Sequence, residues 1–127
     1  MNILVPISPG ELLDKITILE IKLARMSDEA KLANVRLELD ALAAVEASLQ
    51  TSATLPALRQ ALREVNEALW EIEDDIRDCE RAGDFGPRFV ELARAVYHTN
   101  DRRAVLKREV NVALGSALVE EKSYAAY

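Results

Sequence analysis

The chain has 127 residues, with 22 Asp or Glu against 16 Lys or Arg and a formal charge of -6. Half of its residues are hydrophobic and 30% are charged, a balance that fits a single folded domain over residues 1–127 and excludes a disordered chain. No run of Lys or Arg departs from the acidic sign, so the cationic stripe that a nucleic-acid partner requires is missing.

The chain starts MNILVPISPG, which lacks the basic region and long apolar core of a signal peptide; its ILV at residues 3–5 is the one strand-like run. Ser8, Pro9 and Glu11 then form a capping box with proline at the first helical position, predicting a helix over residues 9–26. Leu12, Ile16, Leu19, Leu23 and Met26 make its main stripe, extended by Leu13 and Ala24, and Glu20 falls inside it. A carboxylate there needs a cation or donors on a facing helix. Ile18 and Ile21 lie on the other side of this helix, beside Asp14, Lys22 and Arg25. That second apolar patch needs a cover, which is the N-terminal ILVPI segment, the tyrosine-bearing tail or another subunit; the expected interface is Ile18, Ile21 and Arg25, with a homodimer or another protein as partner.

Ser27 or Asp28 caps a second helix over residues 28–50, in which Leu32, Val35, Leu39, Leu42 and Leu49 repeat and Glu46 occupies the missing step. Thr54 and Pro56 start a third helix over 55–82, with a seam from Leu58 through Leu62, Val65, Leu69, Ile72 and Ile76 to Cys79. The Gly83–Pro87 turn leads to a fourth helix over 87–114, whose seam breaks at Thr99 and Arg103 and resumes at Leu106 and Val110; residues 115–127 form a tail. Short loops make consecutive helices antiparallel neighbours, so the expected fold is all-α, an up-down-up-down four-helix bundle with long helices. A helical hairpin that completes its bundle by dimerising is the structural alternative.

Levelling the helices by 1.5 Å of rise per residue brings Glu20 near the break in the fourth seam. The expected polar layer is Glu20 with Asn66, Thr99, Asn100 and Arg103, and Lys107 one turn further. Such a layer either fixes helix register or receives a small anionic ligand.

Other chemistries find little support. Glu71, Asp74, Asp75 and Asp78 read as a solvated face, and the only histidine, His98, has no Glu three residues before it, so no metal is expected. Cys79 reads as a small buried hydrophobe, Trp70 as core or interface, and His98 as exposed. No phosphate-binding loop and no nucleophile-base pair is present, so neither a cofactor nor a catalytic residue is expected. A lone cysteine and the absence of a long apolar window point to a cytoplasmic protein that does not enter membranes.

The stretches PISPGELLDKITILEIKLARM, VNEALWEIEDDIRDCE, LARAVYHTNDRRAVLKREVN and EEKSYAAY together resemble a small bacterial family of unknown function, domain-of-unknown-function family 6165. The resemblance implies a short helical cytoplasmic protein and carries no activity. The first helix alone also resembles the first helix of the all-helical chorismate mutases, which hold a dianion between helices with arginines and a lysine. That likeness implies Arg25, Arg103 and Lys107 as counterparts. The reading is therefore a non-catalytic bundle acting through protein contacts, with a small-anion-binding protein or chorismate-mutase-like enzyme as the alternative.

Overall fold

A computed structural model describes residues 1–127 as four helices without strands: α1 Pro9–Arg25, α2 Glu29–Glu46, α3 Leu55–Ala82 and α4 Pro87–Ala113. The starts follow the local chemistry. Ser8 is extended and its Oγ accepts the Glu11 amide at 3.1 Å, while Asp28 Oδ1 accepts the Lys31 amide at 3.0 Å. Thr54 stands at the cap position of α3 but makes no side-chain cap bond. Gly83 ends α3 at φ 65°, the left-handed conformation that glycine adopts without a Cβ clash.

α2 stops at Glu46, short of residue 50. Its end tightens through Ser48 and Leu49 amides bonded to the carbonyls of Val45 and Glu46, each at 3.0 Å, and the turn brings Leu49 back against the core.

The helices pack as an all-α bundle in which α1 is the hub. It touches all three other helices, α3 and α4 lie along each other, and the backbone of α2 packs against α1 alone, with one side-chain link to α3 at its end. The centre of the core is Leu13 of α1, Leu62 of α3, and Leu106 and Val110 of α4, all but sealed from solvent. Leu12, Ile16 and Leu19 are also buried, yet they lie on the opposite side of α1, where α2 covers them. Ile21 is 1% exposed on the α3–α4 side, so the second apolar patch of α1 is covered inside the chain. The α3–α4 hairpin outreaches this contact: Arg25, at the end of α1, meets Glu67 and Glu71, and α3 runs on to Ala82. No helix is long and apolar enough to cross a membrane.

The face of α1 that meets α3 and α4 is partly polar, and every buried polar atom on it is matched. Asn66 Nδ2 donates to Asp14 Oδ1 and to Thr17 Oγ1, both at 3.0 Å, which uses both amide hydrogens. Thr17 Oγ1 donates in turn to the Asp14 carbonyl at 2.9 Å. The Gly10 amide, one of the first-turn donors that a helix cannot satisfy itself, donates to Asn111 Oδ1 at 2.7 Å.

Gly10 also sets the closeness of α1 and α4. A Cβ there would lie 2.4 Å from the Lys107 carbonyl oxygen and 2.9 Å from Asn111 Oδ1, and backbone cannot move aside as a side chain can. Gly10→Ala is expected to cost about 1–3 kcal/mol through overpacking, despite alanine's better helix propensity. Urea unfolding checks this; an unchanged midpoint would show that α4 does not press on α1.

Candidate functional site

Glu20 is engaged by α3. Its carboxylate receives Arg59 in a two-pronged contact, Nη1 at 3.2 Å and Nη2 at 3.1 Å, and Arg63 at 3.4 Å. Arg59 Nε also donates to Glu46 Oε2 at 2.8 Å, so one guanidinium bridges the inward carboxylates of α1 and α2. The hydrogen bond to Glu46, ahead of that to Glu20, raises the Arg59 pKa further, against the opposing effect of burial. The expected layer is thereby divided. Glu20 meets neither Arg103, Asn100, Lys107 nor Asn66; Asn66 serves Asp14 and Thr17.

Lys107 is buried under the first turn of α1, where Nζ meets Glu11 at 2.7 Å and Glu120 of the tail at 2.8 Å. Burial opposes its charge, but the hydrogen bonds it donates to these carboxylates outweigh it and the pKa is raised; the same bond lowers the pKa of Glu120. The three proposed dianion ligands do not converge, because Arg25 and Lys107 are held by carboxylates.

Arg103 differs. Arg25, Arg59, Arg63 and Lys107 all have acidic partners, whereas Arg103 is half-buried and forms no ion pair. It stands between two open clefts and, with Asn100, lines both. The first, about 560 Å³, is walled by Ile18, Asn66, Leu69 and Trp70, with Lys22 at its edge. The second, about 640 Å³, lies between α4 and the tail and is lined by Tyr97, Lys122, Tyr124 and Tyr127. The seam of α4 breaks at Arg103 because that side chain faces these clefts rather than the core. Thr99, four residues before Arg103, is half-buried. Of the expected layer, Asn66, Asn100 and Arg103 do share a cleft.

The tail runs back along α4. Arg108 meets Glu121 at 2.9 Å, Lys122 meets Asp101 at 3.8 Å, and the Tyr127 hydroxyl donates to Asp101 Oδ2 at 2.5 Å, which raises the tyrosine pKa. The Tyr127 ring packs edge-on against Tyr97 and the exposed His98, at centroid distances of 5.1 and 4.8 Å.

The acidic stretch at 70–78 is exposed and engaged by arginines: Glu73 by Arg77, Asp75 by Arg88, Asp78 by Arg81. Cys79 is buried and free. At the opposite end, the arm of residues 1–7 and α2 expose a mostly apolar surface. Ile3 is 78% exposed, Leu4 95% and Leu37 74%, around grooves that share Ile3, Leu4, Leu42 and Val45 together with the carboxylate of Glu38.

Residues 3–127 match one protein family, described as a family of unknown function, DUF6165. The chain belongs to that family. No curated protein and no solved structure matches it.

Within this DUF6165 member, Asp14, Thr17, Asn111, Arg59 and Arg63 carry the internal polar contacts, and none was singled out from sequence. Two signals were available. Asp14 and Thr17 flank Leu13 at helical spacing on the second face of α1, and Arg59 and Arg63, four apart beside the α3 seam, match two inward glutamates.

The ion-pair assignment has opposite consequences for two arginines. Arg59→Met leaves Glu20 and Glu46 facing each other's charge; with the side chains about three-tenths exposed, the expected loss is about 1–2 kcal/mol, below that of a fully buried pair. Arg103→Met removes no ion pair and is expected to change stability by less than about 0.5 kcal/mol. Parallel denaturant titrations decide; the reverse order would restore Arg103 as the partner of Glu20.

Proposed function

We propose that this chain is a non-catalytic helical module that works through protein contacts, as a homodimer whose interface is the arm of residues 1–7 together with the outer face of α2. The observation that carries this reading is the exposed apolar surface formed by Ile3, Leu4, Val5, Leu37 and Val45. Scattered surface leucines need no explanation, but a cluster of them lining two mostly apolar grooves does.

Two further features support a second copy as the occupant. The arm lies outside any helix and its backbone makes no hydrogen bond to the rest of the chain, so its donors and acceptors are available to pair with an identical arm about a two-fold axis. The backbone of α2 packs against α1 alone, leaving its far side without a neighbouring helix. The patch is thus self-complementary: an apolar strand-like segment beside an apolar groove, present once on each copy. Ile18, Ile21 and Arg25 contribute nothing to this interface, since Ile21 is covered, Arg25 holds Glu67 and Glu71, and Ile18 lines the Trp70 cleft.

Sedimentation equilibrium at micromolar concentration is expected to give twice the chain mass. Leu4→Glu and Leu37→Glu, each placing a charge in the patch, are expected to give monomers with unchanged helix content. A monomeric parent chain, or a dimer that survives both substitutions, would refute the proposal.

A further inference from the structure

The cleft between α4 and the tail has the composition of a small-molecule site, independently of any dimer. Its cations are Arg103, which has no acidic partner, and Lys122, whose only carboxylate is Asp101 at a loose 3.8 Å. Asp101 is the one carboxylate lining the cleft, and it is already engaged by the Tyr127 hydroxyl. Glu120, whose field also reaches Arg103, is held by Lys107. Three tyrosine rings and the Asn100 amide complete the lining. The Trp70 cleft on the other side of Arg103 is less suited to an anion, because Glu73 and Asp74 line it and only Glu73 is paired.

A guanidinium presents two parallel N–H groups that match the oxygens of a phosphate or carboxylate, and tyrosines offer flat apolar faces with a polar edge. We propose that this cleft binds a small molecule with a phosphate or carboxylate head on Arg103 and Lys122 and a ring-shaped body against Tyr97 and Tyr124. The break in the α4 seam then has a use: it releases Arg103 from the core and directs it to the ligand. Because one wall of the cleft is the tail, the bound molecule also ties the tail to α4.

The test is titration of the full chain with phenyl phosphate, benzoate and inorganic phosphate, followed by calorimetry and by backbone amide shifts. Saturable binding of phenyl phosphate or benzoate in the millimolar range or tighter is expected, with shifts confined to residues about 97–103 and 118–127, and whichever binds identifies the head group. Inorganic phosphate, which lacks the ring, is expected to bind about tenfold more weakly than phenyl phosphate. Arg103→Met should abolish binding while melting at the parent temperature, Arg103→Lys should retain part of it, and Tyr124→Ala should weaken the ring-bearing probe alone. Arg94→Met, an exposed arginine of α4 outside the cleft, should change nothing. The proposal is overturned if neither ring-bearing anion binds the parent chain, if Arg103→Met binds as well as the parent, or if Arg94→Met loses as much as Arg103→Met.

Discussion

Asn66 gives both hydrogens of its side-chain amide to α1, one to Asp14 and one to Thr17, and the side-chain oxygen of Asn111 accepts the Gly10 amide. These bonds tie one helix to two others at fixed heights. Each adds only about 0.5–1.5 kcal/mol net, but breaking one inside the bundle costs the desolvation of the stranded group, about 1–3 kcal/mol. A slip of α1 by one turn would strand several at once. The apolar contacts of Leu13 with Leu62, Leu106 and Val110 supply the driving force for association, and they would tolerate a slip better than the polar seam does. Register in this bundle is therefore set by hydrogen bonds, and stability by burial.

The rest of the architecture follows from α1 being covered on two sides. One face carries the polar seam and the small contact of Gly10, which lets α4 come close. The other carries Leu12, Ile16 and Leu19 under α2. A helix apolar on both sides needs partners on both, so α2 sits outside the α1–α3–α4 trio and keeps a free outer surface. Arg59 clamps its end by joining Glu46 to Glu20. Lys107 does the same for the tail by joining Glu120 to Glu11. The two surfaces offered for function, the α2–arm patch and the tyrosine cleft, are both built on these outer elements.

Helix number, the helix ends other than that of α2, and the existence of a polar anomaly at Glu20 were legible in the sequence because they rest on local signals: caps, prolines, Gly83 and the seam spacing. The partner of Glu20 was not. Choosing it required knowing that α2 leaves the bundle's square, which brings the start of α3 rather than the middle of α4 against Glu20. The second face of α1 was visible in Ile18 and Ile21, but sequence alone could not tell a patch covered by α3 and α4 from one left for another subunit. Asp14 shows why: beside Ile18 it reads as a solvated flank, and only the facing Asn66 makes its burial tolerable. The free Arg103 was legible as a break in a seam, though its loneliness was not.

The central claim, that α1 is locked between α3 and α4 while α2 is an outer layer, is tested most directly by native-state hydrogen exchange. Amides of α1 around Leu13–Thr17 are expected to exchange with those of Leu62–Asn66 and Leu106–Val110, at the free energy of global unfolding. Amides of α2 around Leu32–Leu39 are expected to exchange earlier, through an opening that leaves the trio folded. If α2 proved as protected as α1, or α1 opened while α3 and α4 stayed closed, the hub would not be α1 and the account would fail.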